Sequence, residues 1–267
     1  MFHFFRKQAV PAGKQAVLFA MHQFSDKALE EFQRIKDACS GWADCFISYD
    51  NRDGRPVDQE ILKCPHWTFS EKDIHDLAFL EDIRRDGPLI PGHNHWPVIC
   101  FGRQRNYSYY WNIEYDVRFI GDWKKFFSHF RDAGDDFITA HIRTYKEEPA
   151  WYYWPTLSSP EGNIDRRQTL RSFNPIYRIS HRALQYVDRM HGHGWKGHQE
   201  ALIATLLYQG GFKIRDFGGK GRFVRWGQRN LFYIDSTNVS LTDGSLRFHF
   251  EHSSFKGLKN KLVHPVK

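Results

Sequence analysis

The chain has 267 residues and 41% apolar content, enough for one sizeable core, and we read residues 1–267 as a single domain. Its formal charge of +7 suits anionic ligands such as nucleotide phosphates. The 38 basic residues are nevertheless interleaved with 31 acidic ones and form no basic tail or arginine-rich helix, which argues against a nucleic-acid partner.

Gln15–Met21 (QAVLFAM) has the unbroken apolar character of a buried strand. Ser25–Ala38 follows as an amphipathic helix with Ser25 or Asp26 as its cap and Leu29, Phe32 and Ile35 on one face. Asp44–Asp50 is a second strand, so the first fifty residues alternate strand, helix and strand as a parallel sheet requires. Further on we expect a helix over Asp73–Arg85, a loop over Gly87–Pro97, a strand over Tyr107–Gly121, a helix over Asp122–Ala133 and a strand over Asp136–Ile142. Arg143–Ser172 reads as a long irregular surface excursion, a kind of loop that is often functional. Helices are expected over Ile176–Met190 and His198–Gln209, a short strand over Lys213–Phe217, and a β-like, turn-rich end with strands at Leu246–Phe250 and Val263–Lys267.

The four cysteines, Cys39, Cys45, Cys64 and Cys100, have no CxxC or finger spacing and suit reduced thiols in a cytoplasmic protein. No apolar run is long enough to span a bilayer, which leaves peripheral contact at the inner face of a membrane, through Phe2, Phe4, Phe5, Arg6 and Lys7, as the only membrane association expected. The 23 Phe, 12 Tyr and 9 Trp residues suit both a bulky core and a groove that stacks on flat ligands or sugar faces.

Glu114-Tyr115-Asp116 closes the aromatic strand, and strand alternation puts both carboxylates on one face. Two buried acids on one face are costly unless neutralised, and a hard cation such as Mg²⁺ or Mn²⁺ does that while bridging phosphates. The plain alternative is a solvated edge strand, or a carboxylate paired with Arg118. Asp50 ends the second strand at the edge where open α/β folds bind ligands, with His22 and Gln23 beside it; a turn-forming role in D-N-R-D-G competes. Glu200 lies in the first turn of its helix, where an acid also complements the helix dipole, and His198 is a second candidate base. Trp151, Tyr152, Tyr153 and Trp154 offer acceptor-stacking rings, with Trp151, Tyr153, Trp154 and His198 as candidate acceptor contacts, or else they anchor the loop.

The segment W-N-I-E-Y-D-V-R-F-I-G-D-W, Trp111–Trp123, resembles the acidic DxD-type strand end of GT-A glycosyltransferases. That resemblance implies a GT-A-like, Rossmann-type, mostly parallel sheet flanked by helices, with a nucleotide-binding half at about 15–121, an acceptor half at about 122–267 and a β-rich C-terminal part. It implies a cation held by Asp116, with Glu114 standing where Asp is commoner, and Asp50 near the nucleotide's base or ribose. Glu200 resembles the catalytic acid of inverting members, which takes the acceptor hydroxyl's proton. His264 and Lys267 resemble the late His and Lys that complete the metal shell and meet a phosphate, with His249 and His252 competing for the histidine role. The expected activity is transfer of a sugar from a nucleotide-diphosphate donor to a hydroxyl of a polysaccharide or lipid-linked glycan, with inversion. The rivals are a metal-dependent phosphoesterase or nuclease, and a non-catalytic domain that binds a glycan or nucleotide.

Overall fold

The computed structural model describes residues 13–52, 54–75, 77–78, 94–235, 244–247 and 257–266. Strand β1 (Gln15–Met21) lies inside the sheet, with β2 (Ala43–Asp50) and β4 (Tyr109–Glu114) parallel to it on either side and β3 (His66–Phe69) parallel beyond β2. Across β4 the sheet continues through β7 (Leu170–Ser180), β6 (Phe137–Thr144) and β8 (Ile214–Asp216), giving seven strands among the described residues in the order β3-β2-β1-β4-β7-β6-β8. Only β7 runs against the other six, being antiparallel to both its neighbours. The mostly parallel, helix-flanked sheet expected from the sequence is therefore present, with the 15–21, 44–50 and 109–114 segments side by side.

Alternation along β1 builds a core on each face. Ala16 and Leu18 pack with Phe101, Tyr110, Ile179 and Leu202 on one side, and Val17, Phe19 and Met21 with Phe32, Ile35, Trp111 and Phe126 on the other. Helix α1 (Asp26–Cys39) starts where Ser25 Oγ accepts from Ala28 N at 3.2 Å, and it buries Ala28, Phe32 and Ile35. The short helices α2 (Gln59–Leu62) and α3 (Glu71–Ile74) are followed by α4 (Trp96–Gln104) and α5 (Trp123–Phe130), the latter capped by Asp122. Helices α6 (His181–Gly192) and α7 (Gln199–Gln209) complete the layers, and β9 (Lys261–Val263) pairs with β5 (Arg118–Ile120) as a separate two-stranded ribbon. Among the described residues no helix is long and apolar enough to cross a membrane.

The structure corrects several expected boundaries. The 107–121 strand breaks: β4 ends at Glu114, Tyr115 and Asp116 form a turn closed by Val117 N to Glu114 O at 3.0 Å, and β5 leaves the sheet. Residues 176–180 are not helical but finish β7, which also claims the end of the expected 143–172 excursion. Arg171, Asn174, Pro175 and Arg178 hide this strand from pattern reasoning, yet all eleven of its residues are buried. Arg178 finds its partners inside: it donates to Ala133 O at 2.8 Å and Arg131 O at 3.0 Å and lies 3.4 Å over the Tyr109 ring. Pro175, lacking an N–H, falls where the β6–β7 register shifts. The helix expected over 73–85 is a single turn ending at Ile74, with 79–85 outside the described residues. Trp96 and Pro97, expected in a loop, open α4, where a proline's missing N–H costs nothing. Late in the chain, Leu246 bridges to His264, while 248–250 lie outside the described residues.

Candidate functional site

The C-terminal ends of β1, β2 and β4 meet at one edge, where the strand order reverses about β1, and a cleft of about 390 Å³ opens there. Glu114 closes β4, and the turn that follows swings Asp116 back beside it. The β5–β9 pairing then delivers His264: Val263 faces Arg118, and Val266 N donates to Asp116 O at 2.8 Å. The three side chains offer one ligand atom each, all within 4.8 Å of one another.

The imidazole's orientation is fixed from behind. His264 Nδ1 lies 2.7 Å from the Arg247 carbonyl oxygen, which only accepts, so Nδ1 carries the hydrogen and Nε2 faces the acids. Nε2 sits 3.4 Å from Glu114 Oε2 and 3.5 Å from Asp116 Oδ1, and the buried Asp116 Oδ1 accepts no hydrogen bond. Burial by itself disfavours imidazolium, but Asp116 and Glu114 outweigh it and push the His264 pKa up to about 10. For Asp116 burial acts to raise the pKa, and the contacts from His264 and Arg118 overcome it, leaving the carboxyl below its usual range. A cation held at about 2.1 Å from each ligand separates adjacent ligands by roughly 3 Å and opposite ones by roughly 4 Å, so this group fits an ion with a small closure. Its charge would replace the imidazolium proton.

Asp50 and His22 line the same cleft. Asp50 is also the turn-former of the plain reading: Arg52 N donates to Oδ1 at 3.1 Å, and the Arg52 guanidinium grips both oxygens, with Nη2 to Oδ2 at 2.7 Å. Sequence reasoning passed over Arg52, which also lies 5.1 Å over the Trp96 ring, and Asn94, whose amide donates to Glu114 Oε1 at 3.3 Å. Basic and amide residues in a turn carry little signal until the fold brings them to the acids. His22 is exposed and sets its ring edge-on to Tyr115 at 5.0 Å.

Glu200 is buried at the start of α7, where His198 Nδ1 caps the helix by accepting from Glu200 N at 3.3 Å. Its Oε1 accepts from Asn174 N at 3.3 Å, and Oε2 accepts no hydrogen bond, lying 3.9 Å from His198 Nδ1. Burial pushes its pKa up to about 8 against the Asn174 N–H and the Arg171 charge; Glu114 adds to the rise. The group is thus held mostly as the acid at neutral pH, the opposite of the ionised form expected of a base. Asn174 Nδ2, Tyr177 Oη and Gln199 Oε1 are likewise buried without partners.

The aromatic run divides. Trp151 and Trp154 are buried in the core, and Trp154 Nε1 donates to Glu148 O at 2.8 Å, so these two anchor the segment. Tyr152 is 55% exposed, and the Tyr153 ring stacks on His198 with centroids 3.5 Å apart. Lys267, His249 and His252 lie outside the described residues.

No protein-family model and no curated relative matches this sequence. Among solved structures, the chain overlaps a protein described as a glucose-1-phosphate thymidylyltransferase of Bacillus anthracis in complex with sucrose, at 9% identity and TM-score 0.41, over 78% of this chain and 87% of that one. It also overlaps the galactosyltransferase LgtC in complex with donor and acceptor sugar analogues, at 8% identity and TM-score 0.39, over 75% of this chain and 73% of that one. Overlap at TM-scores of 0.41 and 0.39 establishes neither a shared fold nor a shared chemistry.

Proposed function

We propose that the chain is a divalent-cation-dependent glycosyltransferase of GT-A type that moves a sugar from a nucleotide diphosphate to an acceptor hydroxyl. The observation that carries this reading is the convergence of Glu114, Asp116 and His264 at the switch-point edge of a mostly parallel sheet, in a cleft also lined by Asp50 and Arg52. Two acids and an imidazole suit Mn²⁺, or Mg²⁺ with water replacing part of the set. When bound, the cation would neutralise the departing diphosphate.

The chain's own residues take the other roles in the proposal. The cleft under Asp50, Arg52 and His22 receives the nucleoside, and Lys267 meets the diphosphate. Asn174, Tyr177 and Gln199, buried with unmet hydrogen-bonding atoms, suit the hydroxyls of the transferred sugar. Glu200 accepts the acceptor hydroxyl's proton as that oxygen bonds to the anomeric carbon, and the carbon–oxygen bond to the diphosphate breaks with its electron pair leaving on phosphate oxygen. Attack from the opposite face inverts the centre. To serve, Glu200 must first lose the proton that burial holds on it, and positive charge at the acids favours that loss. Tyr152 and Tyr153 offer the ring surface for a glycan acceptor that the buried Trp151 and Trp154 do not. The nucleotide half at 15–121 and the acceptor half at 122–267 belong to one domain in this reading.

A thermal-shift screen of nucleoside diphosphates and nucleotide sugars, with and without Mn²⁺, tests it, because a ligand that binds the native state raises the melting temperature by mass action. A cation-dependent rise for one base supports transfer chemistry and names the donor class. Stabilisation by Mn²⁺ alone, with hydrolysis of a phosphodiester, would favour the phosphoesterase.

A further inference from the structure

Beyond β8 the chain makes a turn that carries the most exposed large apolar side chain among the described residues, Trp226, which is 100% exposed. The turn is well held. Gln228 N donates to Arg225 O at 3.0 Å and Gly227 has φ +76, as a type II turn requires at its third position, so Trp226 projects from the apex. Both shoulders are pinned: Arg225 Nη2 bonds Asp135 Oδ2 at 2.9 Å, and the Gln228 amide joins Arg215 Nη2 at 2.8 Å to His129 Nε2 at 3.0 Å. Held this way, the backbone cannot fold over the indole and hide it.

The turn's own charges have one sign. Residues 219–230 contain Lys220, Arg222, Arg225 and Arg229 and no acid. Arg225 is partly met by Asp135, and Arg222 leans on Tyr208 Oη at 2.9 Å, while Arg229 is exposed and makes no ion pair among the described residues.

We propose that this turn docks the protein on an anionic lipid surface, with Trp226 at headgroup depth and Arg222 and Arg229 on headgroup phosphates. A single convex indole needs a partner that yields to it, and the bilayer interface accepts such a ring without a preformed pocket. The basic residues match the sign of acidic headgroups. Single-stranded nucleic acid is met by successive stacking rings along a groove, whereas one ring projects here. The tip lies beside Asp135 and His129, which precede β6, so it sits at the edge where the parallel strands begin, opposite the cleft. Docking therefore leaves the cleft facing the aqueous phase. The inference is independent of the transfer reaction.

The test is co-sedimentation of the full chain with phosphatidylcholine vesicles, with and without phosphatidylglycerol. The wild type should bind only the acidic vesicles, more weakly as salt rises. Trp226→Ala should lower the partition about tenfold, and Arg222→Glu and Arg229→Glu about fivefold or more each, with the melting temperature unchanged. Brominated lipid should quench fluorescence of the wild type and not of Trp226→Ala. Absence of binding to acidic vesicles, or equal binding by Trp226→Ala, overturns the proposal. So does tighter, Trp226-dependent binding to a single-stranded oligonucleotide, which would assign the turn to nucleic acid.

Discussion

Asp216 and Asp116 both lie buried at the C-terminal ends of parallel strands of one sheet, β8 and β4, yet their surroundings differ in kind. Asp216 Oδ1 accepts from Gly218 N and Gly219 N at 2.8 Å, Oδ2 accepts from Ile142 N at 3.2 Å, and the Tyr233 hydroxyl lies 2.9 Å from both oxygens. The closure is tight enough that a Cβ on Gly219 would sit 2.1 Å from Tyr233 Oη. Asp116 Oδ1 accepts no hydrogen bond and faces a second carboxylate and an imidazole turned toward it. Burial of a carboxylate thus does not mark a site; incomplete coordination does. A closed acid holds structure, and an open one waits for a ligand.

Substitutions at the two acids' surroundings should separate these roles. Asp116→Asn keeps the shape and removes metal-binding charge, so transfer should fall by roughly 10³-fold or more while the melting temperature moves little. Unchanged turnover at saturating donor would remove Asp116 from the mechanism. Glu200→Gln should leave nucleotide-diphosphate affinity intact and lower turnover by about 10²- to 10⁴-fold; equal losses in both would make it a structural residue.

The same variant carries a pH signature. The folded pKa of Glu200 is raised to about 8 from the ordinary 4.5, so the native state binds a proton that the unfolded chain releases. Its contribution to stability is full below about pH 4.5 and is lost as pH rises through 8. Denaturant titrations should therefore show Glu200→Gln gaining on the wild type between those limits, and a constant difference across that range would contradict the burial argument.

On the closed side, Tyr233→Phe strips a donor from Asp216 and an acceptor from His141 N, which bonds Tyr233 Oη at 2.8 Å. It should cost about 2–3 kcal/mol in denaturant unfolding with turnover per folded molecule unchanged. The smallest expected effect is at the acceptor surface. Tyr152→Ala should raise the acceptor KM by roughly tenfold, leaving donor affinity and stability alone; a loss of stability would show that Tyr152, like Trp154, is an anchor.

How far the sequence carries this account follows from what local pattern encodes. Apolar runs and caps located β1, α1, β2 and α7 to within a residue or so, because burial and capping are local. β7 escaped because Asn174 and Pro175 break its apolar pattern and Arg171 and Arg178 acquire their partners, Glu148 and the carbonyls of Ala133 and Arg131, only from other segments. Glu114, Asp116 and His264 were nameable from residue type and resemblance, but the reason they meet was not: a turn after Glu114 and the β5–β9 ribbon bring them together, where an unbroken strand was expected. Arg52 and Asn94 needed the assembled edge to become visible, and the division of the aromatic run into two anchors and two surface rings needed the core.

The most direct test of the central claim is a calorimetric titration of Mn²⁺, with and without nucleoside diphosphate, into the wild type and into Asp116→Asn, Glu114→Gln and His264→Ala. The account predicts one Mn²⁺ per chain in the wild type, binding lost or weakened at least tenfold in each variant, and diphosphate affinity that falls with it while the fold persists. Equal Mn²⁺ affinity in all four proteins would contradict it.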